Sequence, residues 1–236
     1  MTVQGIDVSG WNKPQDWDDA KAAGIEFAFV KVSQGLGGSR RSGQHHDDLG
    51  ASSILRGAYH FASLKYQNKT NAVAQCENMV DRLEKIGDWE LPPVLDMEWQ
   101  TYPGTTDSER KASRVADIGR KSWLFPASAV VDWALDFGSR CVELTGALPI
   151  LYTGKNFWKY RMGSADLSGW LLWEVDYIDH LPEAPSFKAE SKFCPPWAGV
   201  DFWQWTGRGR RDWYNGNRID LNLYNGSLDD LKGMAP

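Results

Sequence analysis

Short apolar runs alternate with stretches of helical period along most of the chain. The runs cover residues 3–8, 27–32, 57–61, 94–98, 150–153, 171–177, 202–205 and 219–223. Each has the length of a buried strand. Between them, Trp17, Ala20 and Ala23 recur at helical spacing. So do Val73, Cys76, Val80 and Leu83, which predict a helix over 72–86, and a third helix is predicted over 130–144. Strand–helix–strand repetition implies a mostly parallel sheet. Eight such strands in 236 residues predict a closed or nearly closed α/β barrel of the TIM type. Pro182, Pro185, Pro195 and Pro196 mark 181–196 as loop. The barrel is therefore expected to be irregular on that side, with fewer than eight helices. No linker, low-complexity tract or repeat interrupts the pattern, which predicts a single domain over 1–236.

Composition adds limits. Hydrophobic residues make up 42% and charged residues 24%, so a full core is available without disulfides or a structural metal. A net charge of −5 argues against a nucleic-acid partner. Cys76, Cys141 and Cys194 are dispersed and form no CxxC pair, so reduced thiols and no zinc site are expected. Residues 1–5 lack a basic segment followed by an apolar one, and no apolar run approaches the ~18 residues of a membrane span. Synthesis in the cytosol without a signal peptide, and no membrane insertion, are the expectations. The 13 Trp change the picture further. A single Trp is best read as core. So many together lean toward a groove facing carbohydrate, because flat aromatic faces pack on the C–H faces of sugars.

The chemistry gathers where strands end. In a parallel barrel the C-terminal ends of the strands share one mouth. Asp7 closes the first run, Asp96 and Glu98 close the fourth, and Asp220 lies in the last. Two-residue spacing puts the Asp96 and Glu98 side chains on one face of a strand, together with Val94. Neighbouring carboxyls do not ionise equally, since one charge raises the pKa of the other. A proton donor beside an anion is what glycoside cleavage needs. Taken alone, Asp-x-Glu is equally a magnesium site or a solvated strand end.

The stretches 5–9, 57–61, 93–98, 149–154, 172–173, 203–205 and 219–222 occur in an order that closely resembles glycoside hydrolase family 25, the Chalaropsis-type lysozymes. The resemblance covers nearly the whole chain. It implies a flattened, irregular barrel and N-acetylmuramidase activity, with bacterial peptidoglycan as the partner. The bond cut would be the β-1,4 link between N-acetylmuramic acid and N-acetylglucosamine. By this resemblance Glu98 is the general acid/base and is expected to hold its proton. Asp96 is the partner anion, as nucleophile or as the group that orients the substrate acetamido, and Asp7 and Asp220 are further acids of the mouth. Tyr59, Tyr152, Trp173 and Gln204 match positions that line the groove. No cofactor and no metal are implied. A monomer without a separate wall-binding module is expected, acting on the cell wall, as a phage endolysin would.

Some residues depart from that family. Gln34 stands where an acid is usual, and Trp205 where a tyrosine is usual. The charged stretch 101–121 is longer than expected and is a candidate cover for one side of the groove. The basic stretch 207–211 reads as a solvated turn, or as a contact to carboxylates of muramic acid or peptide stems. The His45-His46-Asp47-Asp48 cluster reads as surface loop, and His60 as a satisfied barrel histidine. Two competitors remain at this point, a catalytically inactive glycan-binding barrel and a metal-dependent hydrolase.

Overall fold

The computed structural model describes residues 1–64, 71–99, 127–163, 165–178, 183–187 and 196–234. The stretch 101–121, Cys194 and most of the 181–196 loop lie outside the described residues. The strands are β1 (Val3–Val8), β2 (Ile25–Gln34), β3 (Gly37–Gly38), β4 (Leu55–Phe61), β5 (Val94–Asp96), β6 (Ile150–Gly154), β7 (Leu172–Val175), β8 (Phe202–Gly209) and β9 (Ile219–Tyr224). The helices are α1 (Asp18–Ala22), α2 (Ser42–Ala51), α3 (Ala72–Ile86), α4 (Ala127–Thr145), α5 (Lys155–Phe157) and α6 (Leu228–Lys232). A π-helical turn, Trp158–Met162, continues α5. Six helices among the described residues fit the expectation of fewer than eight.

The sheet runs β1-β9-β8-β7-β6-β5-β4-β2, and β1 then pairs with β2, which closes an eight-stranded barrel with the two-residue β3 appended to β2. Neighbours from β1 through β2 and β4 round to β8 are parallel. β9 departs from that pattern: it is antiparallel to both β8 and β1. The link from β8 to β9 has no helix to carry the chain back, so the strand returns as a hairpin, and only antiparallel pairing is open to it.

Two apolar clusters follow from the alternation of side chains along each strand. Phe27, Phe29, Val94, Ile150, Trp173 and Phe202 pack inside the barrel. Ile6, Ala28, Val30, Leu95, Leu151 and Trp203 point outward under the helices. The interior is filled with rings: Phe29 lies 4.5 Å from Trp173 and 5.3 Å from Phe202, centroid to centroid. Room for them comes from glycine. A Cβ on Gly57 would sit 2.4 Å from the Phe29 ring, and one on Gly5 2.4 Å from the Phe27 ring.

The helices cover the outside. Asn71 caps α3 by accepting a 2.7 Å hydrogen bond from the Ala74 amide. The buried face of α3 is Ala72, Cys76, Met79 and Val80, and it packs on α4. Val73, assigned to that face by period, is instead 38% exposed. The His45–Asp48 cluster is not a loop either. It forms α2, with both histidines buried. His45 Nε2 meets the Ser9 carbonyl at 3.2 Å and His46 Nε2 the Asp88 carbonyl at 2.9 Å, so both rings tie helix to loop. His60 is buried outside the barrel, its nitrogens on Ser33 Oγ at 2.8 Å and Gln75 Oε1 at 3.0 Å. Burial lowers its pKa to about 4, so it stays neutral near pH 7.

Candidate active site

The inward faces change character along the strands. On β1 they run Val3, Gly5, Asp7; on β2, Phe27, Phe29, Lys31; on β5, Val94 then Asp96. Rings close the floor and polar groups collect at the C-terminal mouth. A pocket of about 200 Å³ opens there, and it takes in Asp7, Asp96, Glu98, Asp220, Tyr59, Tyr152, Trp173 and Gln204. All eight side chains selected from sequence thus share one site. Lys31, Ser9, Trp11, Phe61 and Tyr177 line it too and were not selected. Alternation could have found four of them: Ser9 follows Gly5 and Asp7, and Phe61 follows Gly57 and Tyr59. Phe27 and Phe29 face inward, so Lys31 must, and Trp173 and Val175 imply the same for Tyr177. A second cleft, about 390 Å³, lies beside Val80, Trp89, Leu91 and Leu144. It flanks Pro93, at the other end of β5 from Asp96, with Glu84 and Asp88 also on its lining.

Regular pairing of β5 ends at Asp96, one turn of the alternation before Glu98. The extended course nevertheless continues, because the Met97 amide donates to the Tyr152 carbonyl at 2.9 Å and the Thr153 hydroxyl donates to the Met97 carbonyl at 2.9 Å. Met97 is buried outward, so Asp96 and Glu98 turn to the same pocket. Asp96 is 5% exposed, and its Oδ1 has no hydrogen-bond partner among the described residues. Burial first, and then the nearby Glu98, push its carboxyl well above the usual range, against the opposing Lys31 ammonium. Glu98 is half-buried.

Asp7 sits at the centre of a network. Its Oδ2 accepts from Gln204 Nε2 at 2.7 Å and from Asn222 Nδ2 at 2.9 Å. Gln204 Oε1 in turn accepts from the Tyr152 hydroxyl at 2.8 Å and the Tyr177 hydroxyl at 3.1 Å, while Trp173 Nε1 donates to Asn222 Oδ1 at 3.0 Å. Asp220 lies directly opposite Asp7 in the β1–β9 register. Burial raises Asp7 to about 6, held down by those donors, and raises Asp220 to about 8, with Asp7 adding to the rise. Two N–H donors favour the anion on Asp7, so the proton of this pair resides on Asp220.

Lys31 supplies a positive charge facing the Asp96–Glu98 pair. Its ammonium donates to Gln34 Oε1 at 2.9 Å and lies 4.4 Å from the Phe61 ring centre. With a neutral amide at 34, the charge of Lys31 is left to the two carboxyls. Carboxyls, a cation and hydroxyls around a ring-lined floor can bind a polar ring, donate a proton and stabilise a developing cation.

The family model for glycosyl hydrolases family 25 matches residues 6–212. The chain is 28% identical over 236 residues to Lysozyme M1 of Streptomyces globisporus, covering 99% of this chain and 71% of that protein. It is 26% identical to the N,O-diacetylmuramidase of Chalaropsis sp., covering 99% of each. Among solved structures, the bacterial lysozyme of Streptomyces coelicolor superposes with a TM-score of 0.76 at 27% identity, over 99% of this chain and 96% of that one.

Proposed function

The chain belongs to glycosyl hydrolase family 25, and from that membership we propose that it is a muramidase that hydrolyses the β-1,4 bond between N-acetylmuramic acid and N-acetylglucosamine in peptidoglycan. The observation that carries this reading is the Asp96 carboxyl. It is buried, one of its oxygens has no partner among the described residues, and it stands beside Glu98 in a polar mouth. Burying such an oxygen without a partner is unfavourable unless a ligand supplies a donor. The acetamido N–H of an amino sugar is a donor of the right kind.

In the proposed reaction Glu98 is the general acid/base and Asp96 the partner anion. Burial favours the proton on Asp96 while the pocket holds no sugar. An acetamido N–H bonded to Asp96 stabilises its anion, and the shared proton then passes to Glu98. Glu98 delivers it to the glycosidic oxygen as the C1–O bond breaks. Anionic Asp96 meets the positive charge growing at the sugar, either directly as nucleophile or by orienting the acetamido oxygen for attack at C1. A water, deprotonated by Glu98, adds at C1 in the second step and returns the proton to the enzyme. Two displacements at one carbon give net retention. Asp7 and Asp220 hold the mouth in place through Gln204, Tyr152 and Asn222, and Lys31 balances the charge of the pair.

The direct test is Glu98→Gln, which keeps the shape and removes the transferable proton. A fall of at least ~10²-fold in cell-wall clearing is expected with the fold intact. A folded variant that clears walls at the wild-type rate would remove Glu98 from this role.

A further inference from the structure

One tryptophan is set apart from the others among the described residues. Trp17, Trp173 and Trp205 are among the most deeply buried side chains, whereas Trp11 is 87% exposed and lies at the rim of the pocket. A lone exposed aromatic needs no explanation on a loose loop, but this turn is tied down on each side of Trp11. The Ser9 amide donates to Asn12 Oδ1 at 2.8 Å, and the Ser9 carbonyl meets His45 Nε2 at 3.2 Å. Arg41 donates to the Asn12 carbonyl at 2.9 Å, and Asn12 Nδ2 donates to the Tyr214 hydroxyl at 3.0 Å. The backbone is fixed while the indole is left to solvent. Over it, 5.8 Å from the ring centre, stands the guanidinium of Arg40, itself exposed and in none of the ion pairs of the described residues.

We propose that Trp11 and Arg40 form an outer subsite of the groove, in which the indole stacks on a sugar ring beyond the cleaved bond and the guanidinium takes a carboxylate carried by that glycan. This rests on the muramidase reading for the identity of the glycan. A preset aromatic plane binds a sugar face at little cost in ordering. A guanidinium suits a carboxylate because its N–H groups match both oxygens. The carboxylate belongs to the lactyl group or to a stem peptide, and both are absent from chitin fragments.

The test measures Kd by calorimetry in the non-hydrolysing Glu98→Gln protein, with and without Trp11→Ala or Arg40→Gln. Three ligands are used: stem-bearing glycan hexasaccharide, the same glycan after removal of its stems, and chitohexaose. Trp11→Ala is expected to weaken all three about tenfold, with circular dichroism unchanged and Trp11→Phe restoring most of the affinity. Arg40→Gln is expected to weaken one or both acidic ligands about tenfold and to leave chitohexaose within twofold. Weakening of the stem-bearing ligand alone assigns a stem carboxylate. Weakening of the stem-free ligand alone assigns the lactyl carboxylate, which is free only there because the stem is joined through it as an amide. Weakening of both means the guanidinium takes either. Affinities within twofold for both variants would overturn the subsite, as would an equal effect of Arg40→Gln on chitohexaose. Wild-type digestion of cell walls is followed separately. Its absence would remove the muramidase reading while the binding data still decide the subsite.

Discussion

Asp96 is under electrostatic constraint in the pocket, where burial and Glu98 both oppose its charge. It is buried, faces Glu98, and has an oxygen without a partner among the described residues. The proposed chemistry makes use of that discomfort, and its stereochemical consequence can be read directly. Proton NMR of the first-formed product should show the β-anomer before mutarotation; an initial α-product would contradict both retaining routes. Lys31 gives a second residue-level prediction. Lys31→Met removes the cation opposing burial, which should hold the proton on Asp96 more firmly and slow the reaction by on the order of tenfold. Unchanged kcat in a folded variant would show that the ammonium has no part in the chemistry. At this scale the acids were legible because they fall at the ends of apolar runs, whereas the groove residues Tyr59, Tyr152, Trp173 and Gln204 came from the family resemblance and not from their spacing. The unpaired oxygen of Asp96 was not legible, since sequence says nothing of which partners a buried atom finds. Trp11 was hidden for a similar reason: its composition class points to core, and only the fixed turn exposes it.

At the scale of elements, the strands were read with bounds close to those observed, and α3 spans the residues its period predicts. The direction of β9 was missed. Its inward residues run Asp220, Asn222, Tyr224, polar first, the reverse of β1 and β2. That order is the signature of a strand entering from the mouth. A parallel β9 would have carried Asp220 to the opposite end from Asp7. Helix α2 was missed because polar residues crowd it and only His45, His46 and Leu49 are buried. Histidines that bond to carbonyls act there as core. The inner layer gives a prediction of its own. Gly57→Ala places a methyl within the Phe29 ring, and overpacking of this kind costs about 2 kcal/mol. A drop of about 4–8 °C in thermal midpoint is expected. An unchanged midpoint would mean that the inner rings yield more easily than their packing implies.

For the whole molecule, barrel closure and site assembly are one event. β1 pairs with β9 on one side and β2 on the other, and Asp7 and Asp220 face each other across that seam. Their folded-state pKa values, about 6 and about 8, lie above the ordinary 3.8. The folded protein therefore binds more protons than the unfolded chain across that range. Stability from this pair is fully present below the ordinary carboxylate range and is lost as pH rises through about 8. The thermal midpoint should fall between pH 5 and pH 9, by on the order of 5 °C. Asp220→Asn should flatten that slope. A wild-type midpoint that rises over the same interval would show that folding does not raise the pKa values of this pair.

The proposed activity is tested most directly by which bond is cut. Peptidoglycan digested with the wild-type protein, reduced with borohydride and analysed by mass spectrometry reports the sugar at each new reducing end. Reduced N-acetylmuramic acid is predicted for the wild type, with its yield at least ~10²-fold lower for Glu98→Gln. Reduced N-acetylglucosamine, or intact glycan strands after exposure to folded wild-type protein, would contradict the central claim.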